Sequence, residues 1–327
     1  MHWSAVAFFS ILPFLAAADV RLLLAYGPRT EGRDAQTYDL YLPSGADGAG
    51  GGAPFFLFLH GGAWCGGDKG NGAALLREMS ENGFACASMD YALSRVDGGG
   101  ANFDAMLRDI DDMVSHLAGE FRRMGASTSK AIAIGGMSAG GHLAMLYAYD
   151  ETNPSVLGLN LRHELRIGCV FSDCGPSDLA SREFEIAGSA GFKCPEQKRA
   201  RWMDELVGGE CGSSNSKSLR ERLWKYSPVH LVNMSTPPTV AVYCRTHKVA
   251  GSDVWTDGIV AEQNFHALTN RLAMCGVETS AFLKRRPHCA ALAEDRKLRT
   301  AVFAAIRKHL CATTCRDVRD LEKERKE

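Results

Sequence analysis

The chain is predicted to be an α/β protein: a mostly parallel central sheet with helices on both faces and a small lid-like insertion. Short apolar runs alternate with longer amphipathic ones, the order produced when each strand is followed by a crossover helix. Several of the short runs, such as FFLFL at 55–59 and AIAIG at 131–135, lack polar alternation, which suits strands covered on both faces. The 327 residues are 46% hydrophobic, enough for a large core, and their formal net charge is −1. That balance gives no sign of nucleic-acid or acidic-lipid binding, and no protein partner or oligomeric state can be read from it.

Residues 1–18, MHWSAVAFFSILPFLAAA, form an apolar run ending in Ala16-Ala17-Ala18, which resembles a signal-peptide core and cleavage site. The positive leading segment is missing, and an N-terminal helix packed on the body is the alternative. The run is short for a membrane span and is interrupted by Pro13. With a signal peptide the protein is expected to be secreted or in an endomembrane lumen; otherwise it is cytoplasmic. Eleven cysteines leave the compartment open. Cys86, Cys169 and Cys244 sit in strand-like runs as small hydrophobes. Cys194 with Cys211, or Cys311 with Cys315, are possible disulfides in an exported chain. No Cys-x-x-Cys or zinc-spaced Cys/His cluster occurs, so neither a structural metal nor a cofactor is expected.

Strands are predicted at 37–42, 54–60, 85–91, 131–135, 168–173, 239–244 and 279–284. The clearest helix is 102–124, where Phe103, Met106, Leu107, Ile110, Met113, Val114, Leu117 and Phe121 recur at three- and four-residue spacing. Asn102 is its candidate N-cap and Gly125 its stop. Helices are also expected at 262–275 and 294–310. Residues 178–226 are polar, with weak periodicity, and read as an insertion over the C-terminal edge of the sheet. The glycine-rich run 48–52 reads as a loop. One domain is expected over 19–311, followed by a charged tail at 312–327.

The strongest local signal is Gly136-Met137-Ser138-Ala139-Gly140, a G-x-S-x-G between an apolar strand and a helix-forming run. A strand turning sharply into a helix strains the central residue and needs tiny flanks, which Gly136 and Gly140 provide. Ser138 is then pushed out above the sheet as a nucleophile. The Ala139 N–H lies at a helix N-terminus, where an oxyanion is stabilised. Upstream, HGGAWCGGDK begins at His60, where the second apolar run ends. Gly62 and Ala63 are the expected further oxyanion donors, with His60 bracing the loop.

These segments, with CASMDYALS at 86–94 and GGMSAGGHLA at 135–144, resemble α/β-hydrolases of the hormone-sensitive-lipase-like group. Within it they look most like bifunctional acetylxylan/feruloyl esterases. Prenylcysteine methylesterases and kynurenine formamidases are similar in the same places. The resemblance covers about 26–310, with 178–226 poorly matched. Many relatives have Arg after the Asp-Tyr pair, where this chain has Ala92.

The α/β-hydrolase order is Ser, then Asp or Glu, then His. Of the histidines after Ser138, His288 has the loop position of the family's catalytic base, between a strand and the last helix. The acid is less direct, because Arg245-Thr246-His247-Lys248 stands where the family's acid turn should be. Counting back from Cys275-Gly276-Val277 puts the acid on Asp257, with an insertion of about ten residues before it; Asp253 is the competitor. Asp173 and Asp178 are read as structural. The resemblance implies a serine carboxylester hydrolase acting on a small-molecule ester through an acyl-enzyme. An aryl formamidase, a prenylcysteine methylesterase and an inactive small-molecule-binding homologue are the alternatives. Trp64, Trp202, Trp224 and Trp255 are candidates for an aromatic pocket, with core packing the competing role.

Overall fold

A computed structural model describes residues 19–32, 34–44, 53–123, 131–191, 195–208 and 216–324. The candidate signal peptide, the 48–52 run, Cys194 and Cys211 lie outside the described residues. Eight strands form one sheet: β1 (Asp19–Ala25), β2 (Thr37–Leu42), β3 (Phe55–Leu59), β4 (Ala85–Met89), β5 (Ile132–Met137), β6 (Ile167–Asp173), β7 (Thr239–Cys244) and β10 (Thr279–Lys284). Their order is β1-β2-β4-β3-β5-β6-β7-β10. β2 runs antiparallel to both neighbours, and every pair from β4 to β10 is parallel. This is the predicted α/β-hydrolase fold. The remaining pair, β8 (His247–Lys248) and β9 (Trp255–Thr256), makes a separate hairpin.

The alternation of the pleat divides the apolar strands between two cores. Leu57 and Leu59 of β3 join Ile132 and Ile134 of β5 on one face, under α2 (Phe103–Arg123) and α3 (Ala139–Asp150). Phe56 and Phe58 point the other way, to α1 (Ala73–Glu81) and α10 (Arg296–Glu324). Each fully buried Phe of this kind contributes about 1.5–3 kcal/mol of transfer free energy. α3 is buried at all twelve positions, which its near-total lack of charge before Asp150 permits.

The shorter helices are α4 (Pro154–Leu157), α5 (Arg182–Gly191), α6 (Glu196–Leu206), α7 (Ser216–Lys225), α8 (Glu262–Met274) and α9 (Ala290–Glu294). The insertion is thus more helical than its weak periodicity suggested. Among its described residues Leu179, Phe184, Ala187, Trp202, Met203, Leu206, Val207 and Tyr226 are buried apolar positions, spread over short helices and the turns beside them rather than one periodic stripe. β1 was not predicted: as an edge strand with Leu22 and Leu23 exposed, it lacks the alternating pattern. α1 was also not anticipated. α10 continues to Glu324, past the predicted end at Leu310. Leu298, Val302, Phe303, Ile306, His309 and Leu310 are buried on it, and no Gly or Pro follows Leu310 to end the helix. Cys311 on this helix is a free thiol rather than half of a disulfide.

The connection from β3 through α1 leads to β4 on one side, whereas that from β5 through α3 leads to β6 on the other. Diverging connections open a crevice at the carboxyl ends of these strands, the usual ligand position in such sheets.

Candidate active site

Ser138 sits at this crevice, between β5 and α3, with φ 53° and ψ −118°. This conformation costs a non-glycine residue on the order of 1–3 kcal/mol. The surroundings impose it. The Ser138 N–H donates to Asp173 O at 2.7 Å, and the His142 N–H donates to Ser138 O at 3.0 Å. A Cβ on Gly136 would lie 2.4 Å from Leu59 O, and one on Gly140 2.0 Å from the same oxygen. Both glycines are therefore required by contact with the end of β3.

The loop after β3 is the second wall. Gly62, Ala63 and Trp64 all have positive φ (126°, 50° and 59°). Gly62 O accepts the N–H groups of Cys65 and Gly66, closing the turn. Among the described residues no acceptor takes the N–H of Gly62, Ala63 or Ala139, and all three residues line the same cavity as Ser138. His60 braces this loop from below: it stacks on Tyr91 at 4.3 Å, and its Nδ1 lies 2.8 Å from Gly61 O. The Tyr91 hydroxyl donates to His60 O at 2.8 Å. Asp90 next to it pairs with Lys69 at 2.7 Å. The Ala92 N–H donates to Asp109, which Arg29 also binds.

Opposite Ser138 stands His288, on the turn after β10. Its Nε2 is 2.8 Å from Ser138 Oγ and its Nδ1 is 2.7 Å from Asp257 Oδ2. The His288 backbone N–H donates to Asp257 O at 3.0 Å. Asp257 is held in turn by its other oxygen, which accepts the N–H groups of Ile259 and Val260 at 3.0 and 2.8 Å. Burial by itself would lower the pKa of His288. The hydrogen bond to Asp257 and the adjoining Cys289 thiol outweigh it and hold the value well above the ordinary one. Burial likewise opposes ionisation of Cys289, but Cys174 and His288 bring its thiol down to about 6.

The predicted insertion before Asp257 folds on itself. Thr246 N–H donates to Thr256 O at 2.7 Å and Val249 N–H to Val254 O at 2.9 Å, so β8 and β9 return the chain to its starting point. Asp257 follows immediately. Asp253 lies within the hairpin loop, fully exposed and paired with Lys248 at 2.9 Å, and Lys248 lowers its pKa. Thus Ser138, His288, Asp257 and the three N–H groups come together, and the Asp253 carboxylate is committed elsewhere.

The cavity in front of Ser138 measures about 530 Å³, and Trp64, Met137, Phe184, Ile259 and Val260 give it apolar walls. Of the four tryptophans considered, Trp64 lines it. Trp202 supports it from behind, donating to Ser94 Oγ at 2.9 Å, while Ser94 donates to Trp64 O. Trp224 is exposed and stacks on His230.

One residue the sequence reading passed over is His142, fully buried on α3. Trp64 Nε1–H donates to its Nδ1 at 3.2 Å, and its Nε2 faces Tyr226 O at 2.8 Å. It joins the loop after β3, α3 and the end of the insertion. Burial keeps it neutral, with a pKa lowered to about 4.

Known proteins are similar to parts of this chain. Isoprenylcysteine α-carbonyl methylesterase ICME of Arabidopsis thaliana is 29% identical over 145 residues, 44% of this chain and 31% of that protein. Esterase LipC of Mycobacterium tuberculosis is 28% identical over 103 residues, 31% of this chain and 24% of that protein. The chain therefore matches only about a quarter to a third of the length of these relatives. Esterase B of Lactobacillus rhamnosis superposes with a TM-score of 0.69 at 19% identity, over 94% of this chain and 89% of that one, a likeness of fold. Residues 38–250, from β2 through the Ser138 turn into the β8–β9 hairpin, match the BD-FAE family, and the chain belongs to that family.

Proposed function

We propose that the protein is a serine hydrolase that cleaves small carboxylic esters through an acyl-enzyme. The observation that carries this reading is the continuous relay from Ser138 Oγ through both ring nitrogens of His288 to Asp257, at 2.8 and 2.7 Å. The esterase names of the two curated relatives support the same reaction class.

In the first step Ser138 Oγ attacks the ester carbonyl while His288 Nε2 takes its proton. Asp257 holds the imidazole in the tautomer with the proton on Nδ1 and stabilises the imidazolium as it forms. The N–H groups of Gly62, Ala63 and Ala139 receive the developing oxyanion, a role in which one donor is worth about 10²–10³ in rate. His288 then protonates the leaving alcohol, and water activated by the same imidazole releases the acid. The Asp257–His288 hydrogen bond also favours an enzyme over an inactive small-molecule-binding homologue.

The apolar walls of the cavity favour an ester with an aromatic or aliphatic portion over a strongly polar one. Comparing rates on phenyl acetate and N-formylkynurenine separates the ester reading from an aryl formamidase. The decisive test is Ser138→Ala assayed on short p-nitrophenyl esters. Turnover should fall by ~10⁴-fold or more, with the circular dichroism spectrum unchanged and fluorophosphonate labelling abolished. Turnover retained in that variant removes Ser138 from the mechanism.

A further inference from the structure

Three thiols that the hydrolytic chemistry does not use lie past or at the ends of β6, β7 and β10, two of them, Cys174 and Cys289, beside His288. Cys174 directly follows β6, Cys244 ends β7, and Cys289 follows His288 in the chain. All three are free. The sulfurs of Cys174 and Cys289 and a ring nitrogen of His288 lie within 4.8 Å of one another. Cys174 and Cys289 both occupy positive φ, 53° and 56°, a region that non-glycine residues seldom adopt.

Cys289 borders open space, with Cys174 buried beside it. Behind the Ser138 cavity lies another of about 310 Å³, and Met137, Asn71 and Cys289 border both. Asp173 lines this second cavity. It is 3% exposed, and its Oδ1 has no hydrogen-bond partner among the described residues. A buried carboxyl oxygen without a partner normally signals an unmet ligand or water. The main-chain carbonyl of the same residue lies 3.6 Å from the Cys289 sulfur.

We propose that Cys174, Cys289 and His288 form a Zn²⁺ site whose occupation withdraws His288 from Ser138 and Asp257 and stops hydrolysis. The binding claim stands alone, whereas the inhibition claim rests on the hydrolase reading. Thiolate sulfur and imidazole nitrogen are the donors zinc prefers, and zinc, unlike Cu²⁺, does not oxidise thiols. Donors around tetrahedral zinc stand roughly 3.6–3.8 Å apart, so a present spacing within 4.8 Å needs to close by at most about 1.2 Å. The two thiols lose their protons on binding. The imidazole donates one ring lone pair, and either nitrogen is now engaged, Nε2 with Ser138 or Nδ1 with Asp257. Coordination through either breaks the relay. Water completes the fourth position.

The test titrates the full chain with CoCl₂ and ZnCl₂. Co²⁺ should produce a thiolate-to-metal charge-transfer absorption that Zn²⁺ displaces, and Zn²⁺ should protect Cys289 from iodoacetamide, read by mass spectrometry. Ester turnover should fall at least ~10-fold and return with EDTA. Cys174→Ser should weaken Zn²⁺ binding by at least ~10-fold, since even loss of a partner outside the coordination sphere costs that much, and keep its turnover without metal. Absence of the absorption band, or equal Zn²⁺ inhibition of Cys174→Ser and the parent, overturns the site. If Cys174→Ser does not fold, protection of the parent decides: equal alkylation of Cys289 with and without Zn²⁺ overturns it. The absorption and alkylation readouts need no turnover, so failure of the hydrolase reading is distinguishable from failure of this one.

Discussion

Around Gly140 the chain has no spare room, since an added Cβ would lie 2.0 Å from Leu59 O. Around Gly251 and Gly258, on either side of Asp257 in the β8–β9 region, an added Cβ would meet nothing within 4 Å, and only their positive φ (73° and 113°) favours glycine. Both regions deliver a side chain to the same imidazole. The Ser138 turn does so by exclusion: β3, β5 and α3 approach so closely that one residue type fits at each flank. The Asp257 loop does so with main-chain hydrogen bonds, Thr246 to Thr256 and Val249 to Val254, which call for no particular side chain. Steric constraint writes a motif into the chain, whereas a hairpin closed by its backbone leaves little trace and tolerates changes in length.

Four measurements sharpen or break this contrast. The largest effect is expected for Asp257→Asn, which keeps the shape but favours the wrong imidazole tautomer. It should lower kcat on a phenyl ester by about 10³–10⁴-fold, and activity within a few fold of the parent would mean the acid lies elsewhere.

Next comes the buried histidine beneath the tight region. Its folded pKa of about 4 lies below the ~6.5 of an unfolded chain, so the unfolded state takes up the proton first. The stability this group contributes is complete above pH ~6.5 and is lost as pH falls toward ~4, a decline of about 3 kcal/mol. Urea melts across that range measure it, and His142→Gln should flatten the slope.

Gly140→Ala should cost about 1–3 kcal/mol of stability by overpacking, seen as a lower denaturation midpoint together with reduced turnover. The smallest effect belongs to Asp253→Asn. An exposed ion pair with Lys248 contributes less than about 1 kcal/mol, so activity and melting temperature should hardly move. A large loss there would undo the assignment of Asp257.

The same distinction governs what could be read before the fold was known. The apolar strands β2 to β7 were legible because burial on both faces demands continuous hydrophobic runs. Ser138 was legible because its glycines are obligatory. β1 was not, since an edge strand with exposed leucines buries too little to leave a pattern. Asp257 could be reached only by counting back from Cys275, with Asp253 left as a rival. His142 was visible as a residue, but its role as a bridge between Trp64 and Tyr226 was not.

By itself the amino-acid sequence determined the α/β class, the order of the central strands along the chain and the strained turn at Ser138. Each of these follows from contacts near in the chain or from the apolar content of a single element. The tertiary structure alone decided which carboxylate meets His288, where the loop after β3 directs its free N–H groups, and that Cys174 comes beside His288 and Cys289. Those outcomes depend on how separate strand ends converge in space, and a linear pattern carries no record of distances between segments far apart in the chain.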